Sequence, residues 1–286
     1  MNRRRFLMLA ACAALPHRAA ALETWRGQAM GADVSLRLAG ASPAQARGFF
    51  DAATRELAHV ESLFSLHRDS DLVRLNRDGR LRFPAEGMLE LLALTERLHR
   101  ATGGMFDPSV QPLWLARATG RDEAAARRLT GWQEVEWSAQ EIRLGRPGMG
   151  LTFNGLAQGW AADRLARAAA RHDLTEVLID CGELRALGPW EAGIADAGGG
   201  VLRRITLSDR ALATSSPSGT RIGPRDLPHI IAPDGRMPLW RTVSVSAPEA
   251  AVADGLSTAL CLLGRDAAEA AAAQFPGAGI ELLAVS

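Results

Sequence analysis

Between Ala247 and Gly264 the chain reads APEAAVADGLSTALCLLG, and this stretch limits what the rest can be. An extended run, VSVSA, leads into a helix that opens on Pro248 and Glu249. On that helix Asp254 and Thr258 stand four residues apart, so their oxygens share one face, one turn from each other. Their neighbours Ala253, Gly255, Leu256, Ala259 and Leu260 are small or apolar. A carboxylate and a hydroxyl in such a helix need partners, because an unpaired charge is costly to bury. A hard cation such as Mg²⁺ meets that need, since it prefers oxygen and takes few ligands from protein. An Asp near the helix dipole and a Thr bonded to its own backbone explain the same letters. A short D-x-x-x-T pattern also arises by chance, so the surrounding chain has to decide.

The 286 residues suffice for a real core, and 47% apolar content with a formal net charge of +1 describes an ordinary soluble globular protein. No basic excess points to nucleic acid, and no apolar run is long enough to span a bilayer. Every basic residue other than His is Arg, which removes Lys as Schiff base, phosphate clamp or general base. Residues 1–21 read as an export signal: Arg3-Arg4-Arg5-Phe6-Leu7 opens a basic region, Phe6–Leu15 is a short apolar core, and Ala19-Ala20-Ala21 offers a cleavage site. The Arg-Arg-x-Phe-Leu order matches the twin-arginine type, with a general secretory signal as the alternative. Leu9-Ala10-Ala11-Cys12 resembles a lipobox, but few apolar residues precede it, which argues against a lipid anchor. The mature chain is therefore expected to begin near Leu22 and to work in the periplasm. Its two cysteines, Cys181 and Cys261, sit in apolar contexts and read as buried free thiols, although an oxidising compartment permits a bridge.

Along the mature chain, Trp25–Leu38 reads as a strand and Pro43–Phe64 as a helix begun by Ser42 and Pro43. Ser70 caps a short helix before an Asp-Gly turn, and Glu86–Ala101 forms another helix stopped by Gly103-Gly104. MFDPSVQPLW reads as a loop, Asp122–Leu129 as a short helix, Val135–Leu144 as a hairpin and Gly155–His172 as a long Ala-rich helix. Thr175–Leu187 carries the apolar run VLID, and EAGIA, VLRRITL and ALATSS are short strands. The last third returns to strand, helix, short helix and strand. Strands grouped between helices, with antiparallel-looking pairs, argue for an α+β fold. The expectation is a single compact domain over residues 22–286, with a mixed, largely antiparallel sheet packed by helices. Neither a dinucleotide fingerprint nor a Walker loop is present.

Four polar clusters follow apolar elements, where sites usually lie. Met30-Gly31 ends a strand and reads equally as a turn. In TGGMFDPS, Gly103 and Gly104 let backbone amides approach a ligand, while a helix cap with an Asx turn accounts for the same residues. LTFNGLAQGWAAD runs from Leu151 to Asp163 into a helix N-terminus that attracts anions, with Asn154 as a possible N-cap and Gly159 as a packing glycine. Thr214–Gly219, TSSPSG, offers hydroxyls and amides to a phosphate, or forms a polar hairpin loop. His229, between Pro228 and two Ile, reads as a structural histidine, and no His pair has zinc spacing.

Taken in order, Met30-Gly31, FSLHRDSDLVRLN, TGGMFDPSVQPLW, GLAQGWAAD, CGELRALG, ATSSPSG, HIIAPDGRMP and VSVSAPEAAVADGLSTALCLLG resemble the ApbE family, the FAD:protein FMN transferases. The segments span Met30 to Gly264. The resemblance implies binding of FAD as substrate, Mg²⁺-assisted cleavage of its pyrophosphate, and transfer of FMN to a Thr or Ser hydroxyl of a partner flavoprotein subunit, with release of AMP. It implies Asp254 and Thr258 as catalytic metal ligands, with a main-chain carbonyl near Gly155 as a third. It implies Met30, His67, Gly104, Met105, Phe106, Thr152, Gln158 and Ile230 as FAD contacts. Thr152 and Gln158 stand where many members carry Asp and a charged Lys or Glu. Those two positions motivate two alternatives: a flavin-binding or flavoprotein-assembly accessory protein, or an FAD pyrophosphatase that releases FMN and AMP to water.

Overall fold

Val177–Asp180, the run VLID, is an inner strand of a seven-stranded sheet, and burial on both faces explains why its hydrophobicity does not alternate. Val177 and Ile179 face the main core, whereas Leu178 joins a second cluster on the opposite face. The structure, a computed structural model, describes residues 12–14, 22–195 and 199–285. Most of the expected export signal (residues 1–11 and 15–21) and the tip of the 195–200 loop therefore lie outside the described residues.

The strands are β1 (Cys12–Ala14), β2 (Leu22–Ala29), β3 (Ala32–Ala39), β4 (Arg80–Arg82), β5 (Val135–Trp137), β6 (Glu141–Leu144), β7 (Val177–Asp180), β8 (Leu184–Leu187), β9 (Pro189–Ala195), β10 (Val201–Ser208), β11 (Ala211–Ser215), β12 (Arg221–Ile222), β13 (Leu227–Pro228), β14 (Thr242–Ala247) and β15 (Gly279–Ala284). The α-helices are α1 (Pro43–Phe64), α2 (Asp71–Asp78), α3 (Glu86–Ala101), α4 (Gln111–Thr119), α5 (Glu123–Arg127), α6 (Ala157–Arg171), α7 (Ala250–Leu260) and α8 (Arg265–Ala272).

The main sheet has the order β15-β14-β11-β8-β7-β3-β2, and every pairing described in it is antiparallel. The α+β expectation holds, with the sheet more uniformly antiparallel than a mixed one. On one face α6 packs against β7 and β8, α7 against β11 and β14, and α1 against α6 and β2. The other face is covered by Trp190, Ala192 and Ile194 of β9 and Leu207 of β10, which pack on Leu178, Leu184 and Leu212. The backbone of Cys12–Ala14 pairs with the open edge of β9.

Three local expectations change. Trp25–Leu38 is not one strand but the hairpin β2–β3, with Met30 (φ 54°) and Gly31 (φ 77°) as its two-residue turn. Two positive φ values in succession match the twist of the flanking strands, so the alternating pattern simply continues across the turn. The end of MFDPSVQPLW is not loop: α4 begins at Gln111 with Pro112 in its first turn, where a missing N–H costs nothing. The helix expected from Gly155 starts at Ala157, and Asn154 does not cap it. Cys181 and Cys261 are both buried and free, as expected.

Candidate active site

The buried end of α6 meets the start of α7 at unusually short range. A Cβ on Gly159 would lie 2.4 Å from the carbonyl oxygen of Ala250, so only glycine lets the two backbones approach this closely. The packing role read for Gly159 from the sequence is therefore real. Neither helix has a side-chain cap from its own N-terminal residue. Each is capped by the other. Asp163 of α6 accepts the N–H groups of Ala250 (2.8 Å) and Ala251 (2.9 Å) at the start of α7. Asp254 of α7 accepts the N–H of Gly159 (3.1 Å) in the first turn of α6. The partner of Asp254 is thus the neighbouring helix, not the dipole of its own. Arg185, reaching from β8, adds an ion pair to Asp163 at 3.4 Å.

Thr258 is the other half of the pair. A Cβ on Gly155 would sit 2.8 Å from its Oγ1, which places the 154–156 turn directly against it. Ser215, at the end of β11, lies 3.4 Å from Thr258 Oγ1 and 2.8 Å from Ser257 Oγ. Ser257 instead satisfies the local alternative read for the threonine, donating to the backbone oxygen of Asp254 at 3.0 Å. The junction therefore assembles one carboxylate, three hydroxyls and the Gly155 turn.

Its electrostatics are those of acids held away from water. Burial raises Asp254 from its ordinary 3.8 to about 7, even though the Gly159 N–H favours the charged form. Asp163 is raised to about 6 by the same cause, opposed by its two backbone donors and Arg185. Glu183, only 4% exposed, is pushed well above the usual carboxylate range by burial and then by the charge of Asp254. Its Oε2 accepts the N–H of Thr214 at 3.1 Å, which fixes the backbone just before Ser215. Gln158 is 5% exposed, and its Oε1 has no hydrogen-bond partner. Gly182 (φ 101°) leaves room beside that amide, where a Cβ would lie 3.0 Å from Oε1.

The remaining expected residues fall into linked groups around this junction. Thr152 donates its N–H to the oxygen of Pro108 at 2.9 Å, tying the 151–156 segment to the TGGMFDPS loop that carries Gly104, Met105 and Phe106. Phe106 is buried, its N–H bonded to Thr102 Oγ1 and its oxygen to His99 Nδ1. Met30 and the His67 loop meet through Glu61, which accepts the Met30 N–H at 3.1 Å and Arg68 Nη1 at 2.9 Å. His67 itself is exposed. Ile230 is buried beside His229, and no described contact joins it to Asp254 or Thr258. His229 Nδ1 lies 3.0 Å and 3.1 Å from the carbonyl oxygens of Pro217 and Thr220, so it carries the proton and leaves the lone pair on Nε2. Burial lowers its pKa from the usual 6.5, keeping the ring neutral. Asp163, Glu183 and Arg185 received no role from the sequence, although an acid inside an apolar strand or an Ala-rich helix was a visible signal.

A family model described as the ApbE family matches residues 30–282. A FAD:protein FMN transferase of Klebsiella pneumoniae (strain 342) is 26% identical over 276 residues, covering 85% of this chain and 79% of its own. One from Treponema pallidum (strain Nichols) is 29% identical over 265 residues, covering 77% and 73%. Among solved structures, the apbe protein from Thermotoga maritima MSB8 aligns with a TM-score of 0.78 at 23% identity, over 93% of this chain and 96% of its own. Flavin transferase ApbE from Vibrio cholerae aligns with a TM-score of 0.73 at 22% identity, over 88% and 91%. At these identities the solved structures speak for the fold.

Proposed function

Because this chain belongs to the ApbE family, we propose that it is an FAD:protein FMN transferase, exported to the periplasm, which acts on a Thr or Ser of a partner protein. In this reaction the acceptor oxygen forms a bond to the phosphorus of the FMN half. The bond from that phosphorus to the bridging oxygen breaks, and AMP leaves with the bridging oxygen. The acceptor hydroxyl gives up its proton.

The observation that carries this reading is the convergence of Gly155 and Gly159 on Thr258 and Asp254. The donors there are hard oxygens, and Gly155 lets its turn lie directly against the Thr258 hydroxyl, where a Cβ would come within 2.8 Å of Oγ1. Among the described residues no group of three His, Cys, Asp or Glu side chains is placed to hold a metal. A cation here would draw on Asp254, Thr258 and main-chain oxygen near Gly155, the donor types Mg²⁺ accepts. When bound, Mg²⁺ would neutralise phosphate charge as the pyrophosphate is cleaved. The chain's own residues do the rest. The hydroxyls of Ser215 and Thr258 offer O–H groups to phosphate oxygens. The orphan Gln158 Oε1 is an acceptor in want of a donor, which a flavin N–H supplies. Thr152 links that wall to the loop of Met105 and Phe106. Neutral His229, with its lone pair on Nε2, is the group suited to take the acceptor's proton.

The test incubates the purified protein with FAD, Mg²⁺ and an acceptor domain bearing an exposed Thr, and reads covalent flavin fluorescence on a denaturing gel. Transfer is expected, and Asp254→Ala should lower it at least about a hundredfold while far-ultraviolet circular dichroism stays unchanged. Release of FMN and AMP with a dark acceptor would establish the pyrophosphatase instead. FAD bound but intact would establish the accessory protein that uncharged Thr152 and Gln158 suggest.

A further inference from the structure

The outer faces of α1 and α6 border an open cleft of about 420 Å³ lined by Arg55, Glu56, His59, Arg164, Arg171 and His172. It is separate from the junction described above. Arg164 lies six residues beyond Gln158, about 9 Å along the helix axis, and Arg171 about 20 Å. We infer that this cleft binds a small phosphate-bearing anion.

Charge is the first argument. Three guanidinium groups face one carboxylate, so the cleft carries an excess of two positive charges before either histidine is counted. Order is the second. Glu56 Oε2 accepts Nε and Nη2 of Arg164 at 3.1 Å and 2.9 Å, and its Oε1 accepts Nη2 of Arg171 at 3.5 Å. One acid thus orients Arg164 by two bonds and draws Arg171 to the same place by one, while most of their five N–H donors stay unused. Arg164 also lies over the Trp160 ring, 5.2 Å from its centroid, with its side chain only 28% exposed. Part of its desolvation is therefore already met in the free protein. The His172 ring is set edge-on to Phe49, with centroids 6.3 Å apart.

A simple brace between two helices would need only Glu56, Arg164 and Arg171. Arg55 makes no ion pair among the described residues, and His59 is exposed, yet both face the same space. The end of α6 works against an anion, because its last carbonyls point this way. Those of Ala169 and Ala170 are already taken by the N–H groups of His172, Asp173 and Leu174. Several guanidinium groups around one space favour phosphate over a single carboxylate, since phosphate has the oxygens and the charge to meet more than one of them. The excess of two charges fits a diphosphate best.

Calorimetric titration of the whole protein with inorganic pyrophosphate, at low salt and without divalent cations, tests this. One saturable site is expected. Arg55→Ala and Arg171→Ala should each weaken it about tenfold, and Arg55→Glu should abolish it. Arg55 is exposed and unpaired, so its substitution leaves folding intact. Asp254→Ala should bind like the wild type, which separates this cleft from the flavin site. Three results would each overturn the inference: no saturable binding, binding indifferent to both arginines, or binding lost in Asp254→Ala. Polyglutamate bound as tightly as pyrophosphate would overturn it too, in favour of an acidic protein segment. The outcome does not depend on whether the chain transfers flavin.

Discussion

The inner and outer faces of α6 present opposite electrostatics on one helix. On the inner face, Asp163 and its partner Asp254 of α7 are buried acids held by backbone N–H groups of α7 and α6. On the outer face, Arg164 and Arg171 share one Glu56 at the surface. The acids are raised by burial, and their geometry is set by contacts that tolerate little change. The arginines are partly hydrated, and their pairing adds little to stability. The same helix thus keeps a closely packed site on one face and a solvent-facing cationic surface on the other.

Gly159→Ala should strike the packed inner face hardest. The added methyl meets backbone, which cannot rotate away, so unfolding in urea should show a loss of about 3 kcal/mol, and soluble yield should fall. An unaltered midpoint would mean that α6 and α7 are farther apart than described.

Next comes pH. Asp163 and Asp254 have folded pKa values of about 6 and about 7, above the 3.8 of the unfolded chain. The folded form therefore holds more protons between those limits. Their contribution is fully present below about pH 4 and is lost as pH rises through 6 to 7. Without divalent cations, stability should fall across that window by several kcal/mol, at about 1.4 kcal/mol for each pH unit by which a carboxyl's pKa is raised, and Asp163→Asn should flatten part of the slope. A rise over the same range would contradict the burial of these acids.

The outer face should respond least. Arg171→Ala removes a pair whose cation is 62% exposed, and the cost in urea should be at most about 0.5 kcal/mol. A larger loss would make the α1–α6 network a structural brace and weaken the contrast between the two faces.

Much of this is legible in one dimension because it depends on near neighbours. Helical spacing marks α1 and α3, Ser42 and Ser70 cap their helices as expected, and Asp254 with Thr258 share a face by virtue of four-residue separation. The β2–β3 turn escapes such reading because Met30 is not a residue that usually takes a positive φ. Helix α4 escapes it because Pro112 reads as a breaker unless its place in the first turn is known.

What the sequence determined alone is the set of local elements, and, through eight ordered segments, the family likeness. Only the tertiary structure decided that Asp254 caps α6 while Asp163 caps α7, across 95 and 87 residues of chain. It alone set Gly155 against Thr258, left Gln158 Oε1 without a partner, and gathered Arg55, Arg164 and Arg171 around Glu56. The physical reason is range. Periodicity and capping act within a turn or two of helix, whereas the pairing of buried charges depends on which distant backbones fold close enough to leave no room for water.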